Sequence, residues 1–117
     1  MLLVDDEPAV LAVIARGLGR RGWHVVAHPS AEAALAEAAG VWPDGRPDAV
    51  VTDASLPGLD GVALLRALAA RWPGVPCVLL SGYADARLPD RPGRTAFLAK
   101  PFALDDLLRA LDSVLGG

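Results

Sequence analysis

The strongest constraint on the fold of this chain is a regular alternation of short apolar runs with segments of helical periodicity. The apolar runs of strand length are residues 2–4, 24–27, 49–52, 76–80 and 95–98. Runs that are almost wholly apolar are typical of strands buried on both faces of a parallel sheet. The segments between them would supply helices to cover those faces. The alternation therefore predicts an α/β fold with a doubly wound, five-stranded parallel sheet.

The helical segments have apolar residues at spacings of three or four, and several have recognisable ends. The first begins at Pro8, which suits a first helical turn because its missing N–H has no partner there. Ser30 can cap the second, over residues 31–39. The third runs to about Arg71, and Gly116 ends the last.

The composition narrows the kind of protein. A chain of 117 residues suffices for one compact domain, which we assign to residues 1–117. Its net charge of −3 gives no sign of a nucleic-acid-binding surface. The single cysteine, Cys77, cannot form an internal disulfide, which fits a reducing cytoplasm. No apolar stretch approaches the ~20 residues of a membrane span, and acidic residues follow the first strand at once, unlike a signal peptide. We expect a cytoplasmic domain that binds neither nucleic acid nor membrane.

Polar residues occur where four of the predicted strands end. Asp5 and Asp6 follow the first strand, Asp53 ends the third, Ser81 follows the fourth and Lys100 follows the fifth. In doubly wound sheets, sites form where the carboxyl ends of the strands meet a topological switch point. The sequence therefore predicts one polar site at this edge of the sheet.

The residue types at these strand ends suit phosphoryl transfer. Carboxylates at neighbouring strand ends repel each other without a cation, and oxygen ligands with retained water suit Mg2+ rather than zinc. Phosphoryl transfer depends mostly on positioning and charge neutralisation. Asp53 can act as the nucleophile, Lys100 can meet phosphate oxygens as a point charge, and Ser81 can donate a hydrogen bond to one of them. The set predicts Mg2+-dependent acceptance of a phosphoryl group by Asp53.

Each of these residues also has a purely structural interpretation when it is considered alone. Asp6 could cap the helix that follows it, and Asp53 could open a turn. Ser81 could belong to a simple turn, and Lys100 could be an ordinary exposed lysine. Their joint occurrence at four strand ends favours the functional interpretation.

Four short motifs surround these polar residues. They are residues 2–8 (LLVDDEP), 53–61 (DASLPGLDG), 79–83 (LLSGY) and 97–102 (FLAKPF). Together, and in this order, they resemble the receiver domains of bacterial two-component response regulators, the CheY-like superfamily. Any one motif is weak, but the four together are specific and extend over essentially the whole chain. The resemblance implies the flavodoxin-like (βα)5 fold of that family.

The resemblance also implies a metal site and a phosphorylation site. Asp53 would be the phosphorylated residue, and Asp6 and Asp53 would bind Mg2+ through their side chains. The backbone carbonyl of Ser55 would be the third protein ligand. Asp5 would act mainly through water or through Lys100.

A switch is implied by the same resemblance. Ser81 and Lys100 would contact the phosphoryl oxygens, and Phe97 would fill the space that Ser81 leaves as it moves inward. Phe97 could equally be a core residue, and the two roles are compatible. Lys100 and Pro101 align with a pair that is usually joined by a cis peptide bond, which proline makes chemically plausible.

Residues 88–94 depart from the family pattern. A fourth helix is expected between Tyr83 and Thr95, but Pro89 and Pro92 cannot both lie in its interior. We therefore predict a short or irregular fourth helix. Receivers with such a helix resemble those fused to hybrid histidine kinases, so we expect a receiver from such a kinase rather than a free-standing transcriptional regulator.

Three functions differ in what they require of these residues. A signalling domain would take its phosphoryl group from a histidine kinase or a histidine phosphotransfer domain, which includes a fused kinase core. An aspartyl phosphatase usually needs a second Asp two residues after the nucleophile, where this chain has Ser55. A receiver-like domain that is never phosphorylated would not need the complete set of polar residues. We therefore predict a signalling phosphoacceptor rather than an enzyme, and the sequence leaves its oligomeric state open.

Overall fold

The computed structural model has a parallel sheet with helices on both faces. It describes residues 1–41, 47–54, 61–81 and 95–116. The strands are β1 (Leu2–Val4), β2 (Val26–His28), β3 (Val50–Asp53), β4 (Cys77–Ser81) and β5 (Thr95–Ala99). Neighbouring strands pair in parallel in the order β2-β1-β3-β4-β5. This arrangement confirms the predicted α/β class and the doubly wound, five-stranded sheet.

The helices within the described residues are α1 (Pro8–Arg20), α2 (Ala31–Val41), α3 (Gly61–Arg71) and α4 (Leu104–Leu115). Pro8 is in the first turn of α1, and the Ser30 hydroxyl accepts a hydrogen bond from the Ala33 N–H at 3.1 Å, so both predicted helix starts are confirmed. Gly116 ends α4 with a φ of 80°, which glycine adopts without a steric cost. The short or irregular helix predicted between Tyr83 and Thr95 falls in residues 82–94, outside the described residues.

The second strand begins two residues later than the apolar pattern predicts. The Trp23 N–H donates to the Leu18 carbonyl of α1 at 3.1 Å, so the chain is still completing the end of that helix. The Val26 N–H then donates to the Met1 carbonyl at 2.9 Å, which starts the pairing with β1. The hydrogen bonds of the helix end, rather than the apolar pattern, thus decide where β2 begins.

Each face of the sheet has its own apolar cluster. Helices α2 and α3 pack against one face, and α1 and α4 pack against the other. Leu2 and Val4 belong to the first cluster and Leu3 to the second, because successive side chains of a strand point to opposite faces. The strands β1, β3 and β4 are buried throughout, which fixes the position of their carboxyl ends. Among the described residues, the helices lack the length and apolarity needed to cross a membrane.

Candidate functional site

Strand ends and backbone hydrogen bonds bring the predicted polar residues to one edge of the sheet. Asp5 directly follows β1, and its N–H donates to the last carbonyl of β2 at 3.2 Å. Asp53 is the last residue of β3, beside β1 and β4. Lys100 directly follows β5, and its N–H donates to the Ser81 carbonyl of β4 at 2.7 Å. The β1–β3 boundary, where the strand order reverses, therefore lies within this group.

Four carboxylates form a compact acidic cluster at that edge. Asp5, Asp6, Glu7 and Asp53 each offer an oxygen, and these oxygens all lie within 4.8 Å of one another. Asp5 and Asp53 are buried, whereas Asp6 and Glu7 are exposed. Glu7 was missed by the sequence reasoning, although its adjacency to Asp5 and Asp6 was a signal that it could join them.

The Lys100 ammonium lies among three of these carboxylates. Its Nζ atom is 3.0 Å from an oxygen of Asp53, 3.4 Å from one of Asp5 and 4.0 Å from one of Glu7. Burial by itself would lower the pKa of this ammonium. The hydrogen bond to Asp53 and the charges of Asp5 and Asp53 outweigh that effect and raise the pKa of Lys100 above its usual value. Lys100 is therefore a cation at neutral pH. Among the described residues, it is the positive charge in contact with the buried carboxylates.

Asp5 and Asp6 are neighbours in sequence but differ in their environment. The Asp5 carboxylate is fully buried and accepts hydrogen bonds from the Glu7 N–H at 2.9 Å and from Lys100. The Asp6 side chain is exposed and makes no hydrogen bond with the described residues. Glu7, not Asp6, is the residue that precedes the first turn of α1, and its side chain makes no capping hydrogen bond. The interpretation of Asp6 as a helix cap is therefore wrong, because the backbone places the cap one residue later.

The chemistry of this donor set fits a hard divalent cation. All of the clustered atoms are carboxylate oxygens, which Mg2+ prefers, and the exposed side leaves space for the waters that Mg2+ retains. Among the described residues one lysine faces the four carboxylates, so a cation would relieve their repulsion. The predicted ligand Ser55 lies outside the described residues.

Ser81 and Phe97 project toward the same face of the sheet. Ser81, the last residue of β4, is 2% exposed and pairs with Ala99, whereas Phe97 pairs with Leu79. Residues two apart on a strand share a face, so Phe97 and Ser81 are diagonal neighbours. Phe97 is partly buried and packs against the cluster beneath α2 and α3. The core role of Phe97 is thus observed, and the geometry also suits the predicted coupling to Ser81.

The Lys100–Pro101 peptide bond is cis, as the resemblance implies. It is the cis bond found among the described residues. Pro101 itself is exposed and borders the surface next to Lys100.

An apolar groove of about 780 Å³ adjoins the acidic edge. Glu7 and Lys100 line the end nearest the carboxylates. The apolar wall comes from α1, from Phe102 and from Leu104. Val13 of α1 borders the groove and is 72% exposed, which is unusual for a large apolar side chain in this structure. Arg16 and Arg20 add positive charge along the groove.

Gly17 of α1 lies close to the Leu104 side chain at the start of α4. A Cβ atom at Gly17 would lie 2.9 Å from a Leu104 methyl carbon, closer than real Cβ atoms come.

The chain is similar to known proteins along almost its whole length. A family described as "Response regulator receiver domain" matches residues 1–112. The transcriptional regulatory protein PrrA of Mycobacterium tuberculosis is 37% identical, over 98% of this chain and 49% of PrrA. The sensor kinase CckA of Brucella abortus is 36% identical, over 98% of this chain and 12% of CckA. The chain thus spans about half, or less, of these curated relatives.

A solved structure agrees with the fold at the level of the whole chain. The receiver domain protein from Clostridium thermocellum superposes with a TM-score of 0.85 at 28% identity, covering 98% of this chain and 92% of that one. The similarity therefore extends to the arrangement of strands and helices.

Proposed function

The chain belongs to the response regulator receiver domain family, and from that premise we propose that it accepts a phosphoryl group on Asp53 in a Mg2+-dependent reaction. The observation that carries the proposal is the burial of Asp53 beside Lys100, within an all-carboxylate cluster at the switch point of the sheet. The domain assigned to residues 1–117 would act as a signalling module. Its phosphoryl donor would be a phosphohistidine.

The residues divide the chemistry among themselves. A carboxylate oxygen of Asp53 attacks phosphorus, and the bond from phosphorus to the histidine nitrogen breaks as the new bond forms. Asp6 and Asp53 would hold Mg2+ with the Ser55 carbonyl, and Asp5 would act through water. The bound cation would supply charge neutralisation for the phosphoryl oxygens. Lys100, at 3.0 Å from Asp53, is already close enough to meet those oxygens with a small shift.

Phosphorylation would then be sensed by Ser81 and Phe97. The hydroxyl of Ser81 lies at the end of the strand next to Asp53, where it can donate a hydrogen bond to a phosphoryl oxygen. Movement of Ser81 toward that group would open space on the face that Phe97 shares. Since Phe97 is only partly buried, it can enter that space and change the surface around β4 and β5.

The groove along α1 supports a protein rather than a small molecule as the natural donor. Glu7 and Lys100 line one end of it, so a partner seated there would have its reactive group near Asp53, which contacts Lys100. Its apolar wall and the exposed Val13 suit the apolar side of a helix that carries the phosphohistidine. We propose a histidine kinase or a histidine phosphotransfer domain as this partner.

The larger protein that contains this domain is a separate proposal. Identity to the transcriptional regulator PrrA and to the sensor kinase CckA is almost equal, at 37% and 36%. The preference for a hybrid histidine kinase therefore still rests on Pro89 and Pro92 in the segment before β5. Cytoplasmic action is proposed because Cys77 is a free thiol that is compatible with a reducing compartment.

Acetyl phosphate provides a direct test of the phosphoacceptor function. Intact-mass analysis should show one added phosphoryl group on the wild type with Mg2+ and much less without it. Asp53→Asn should remain unmodified, whereas Asp112→Asn, an exposed aspartate of α4, should behave as the wild type does. An unmodified wild type in the presence of Mg2+ would refute the proposal. Steady release of phosphate from unrelated phosphoesters would favour an aspartyl phosphatase instead.

A further inference from the structure

Glu7 is a carboxylate of the acidic cluster to which the proposed function gives no role. One of its oxygens lies within 4.8 Å of oxygens from Asp5, Asp6 and Asp53. Its Oε1 atom is 4.0 Å from the Lys100 ammonium. Its side chain is 62% exposed, in contrast to the buried Asp5 and Asp53. Glu7 therefore faces the candidate metal position but keeps most of its own hydration.

The backbone around Glu7 explains why its side chain is available. Its N–H donates a hydrogen bond to the Asp5 carboxylate at 2.9 Å, and its backbone is extended, with φ −94° and ψ 107°. The side chain makes no capping hydrogen bond to α1. The simplest alternative is a general interaction of a carboxylate with the positive end of the helix dipole, which would affect stability but not metal binding.

The negative charge of the cluster gives Glu7 an effect on the binding of cations as well as on stability. Among the described residues, the Lys100 ammonium is the cation that contacts this cluster of four negative charges. Each of those charges increases the attraction for a divalent cation. Because Mg2+ holds several of its waters when it binds to proteins, an exposed carboxylate nearby can act across those waters.

We propose that Glu7 raises the affinity of this site for Mg2+ through its charge, acting across water rather than as a direct ligand. The inference rests on the proposed function, since it needs the cation to bind at Asp6 and Asp53. One carboxylate charge that acts on a divalent ion across a layer of screened water corresponds to about a threefold to tenfold change in affinity.

Calorimetric titration of the unphosphorylated protein with MgCl2 tests this effect without any phosphorylation. Glu7→Gln should raise the Kd for Mg2+ by about threefold to tenfold. The Glu7→Asp variant keeps the charge, so it should bind Mg2+ more tightly than the Glu7→Gln variant does. The matched control is Glu32→Gln, which removes an exposed glutamate from the first turn of α2, outside the cluster, and should leave the Kd within about 1.5-fold of the wild type.

Ionic strength separates a charge effect from a structural one. The ratio of the Kd values of Glu7→Gln and wild type should fall toward one between about 0.05 and 0.5 M KCl, because salt screens exposed charges. Equal Kd values for wild type and Glu7→Gln at low salt, or an equal loss in Glu32→Gln, would overturn the inference about Glu7 alone. Absence of Mg2+ binding by the wild type at millimolar concentrations would contradict the proposed function as well.

Discussion

The ammonium of Lys100 lies 3.0 Å from a carboxylate oxygen of Asp53, although 47 residues separate the two in sequence. The same ammonium is 3.4 Å from Asp5, so a single cation compensates two buried carboxylates from different strands. This relationship links the stability of the sheet edge to its chemistry. Changes at Lys100 should therefore affect both.

Lys100→Met should destabilise the metal-free protein at neutral pH by about 1–3 kcal/mol, because it removes the ammonium that contacts two buried carboxylates. Added Mg2+ should restore part of the loss, since the cation takes over that charge. Urea unfolding with and without Mg2+ measures both effects. Arg109→Met is the control, as its pair with Asp106 is exposed and should contribute less than about 0.5 kcal/mol.

The pH dependence of this stabilisation follows from the raised pKa of Lys100. The folded protein holds the proton more tightly than the unfolded chain does. The contribution is therefore complete below the ordinary lysine pKa of about 10.4 and is lost as the pH rises through the higher folded value. The difference in unfolding free energy between wild type and Lys100→Met should stay constant from pH 7 to about 10 and shrink above that. A difference that grows with alkaline pH would contradict the assignment.

Asp5 and Asp6 should differ in what their removal costs. Asp5→Ala should lower the free energy of unfolding by about 1–3 kcal/mol, because the Glu7 N–H loses its acceptor and Lys100 loses one of its carboxylate partners. Asp6→Ala should change it by less than about 0.5 kcal/mol, as the side chain is exposed. Both should weaken Mg2+ binding. Chemical denaturation together with calorimetric titration distinguishes the two residues, and equal destabilisation would show that their environments are not as described.

Val13→Glu should impair phosphotransfer from a protein donor without impairing the chemistry. Its side chain is 72% exposed on the groove, so we expect little change in stability or in phosphorylation by acetyl phosphate. Transfer from a phosphorylated histidine phosphotransfer protein that modifies the wild type should slow by at least about fivefold, as for a residue central to an interface. Ala70→Glu places the same charge on α3, which covers the opposite face, and should have no such effect. Equal rates for both variants would exclude the groove as the docking surface.

Cys77 should be unreactive in the folded protein. It is 1% exposed, its thiol donates to the Val75 carbonyl at 3.4 Å, and burial raises its pKa to about 12. The thiolate that reacts with disulfide reagents is therefore scarce at pH 8. Reaction with a chromogenic disulfide should be slow in buffer and should accelerate with urea in parallel with unfolding. Rapid native-state modification at pH 8 would contradict the buried position of β4.

The sequence predicted most of the fold because the same simple signals recur along it. Buried strands need apolar side chains on both faces. Pro8 and Ser30 mark the starts of α1 and α2, and Gly116 marks the end of α4. The start of β2 was less predictable, because Trp23 satisfies its N–H on α1 instead of joining the sheet. Such competition between hydrogen-bond partners depends on where the preceding helix ends in space.

For the candidate site, the sequence by itself determined which residue types reach the carboxyl edge of the sheet. In a parallel sheet all strands end on the same side, so Asp5, Asp53 and Lys100 had to arrive together. Only the tertiary structure decided that Asp5 is buried while Asp6 is exposed, that Lys100 contacts two carboxylates, and that Glu7 joins the cluster. The physical reason is that burial and charge pairing depend on distances between segments far apart in the chain, and on turn dihedral angles that local residue patterns do not encode.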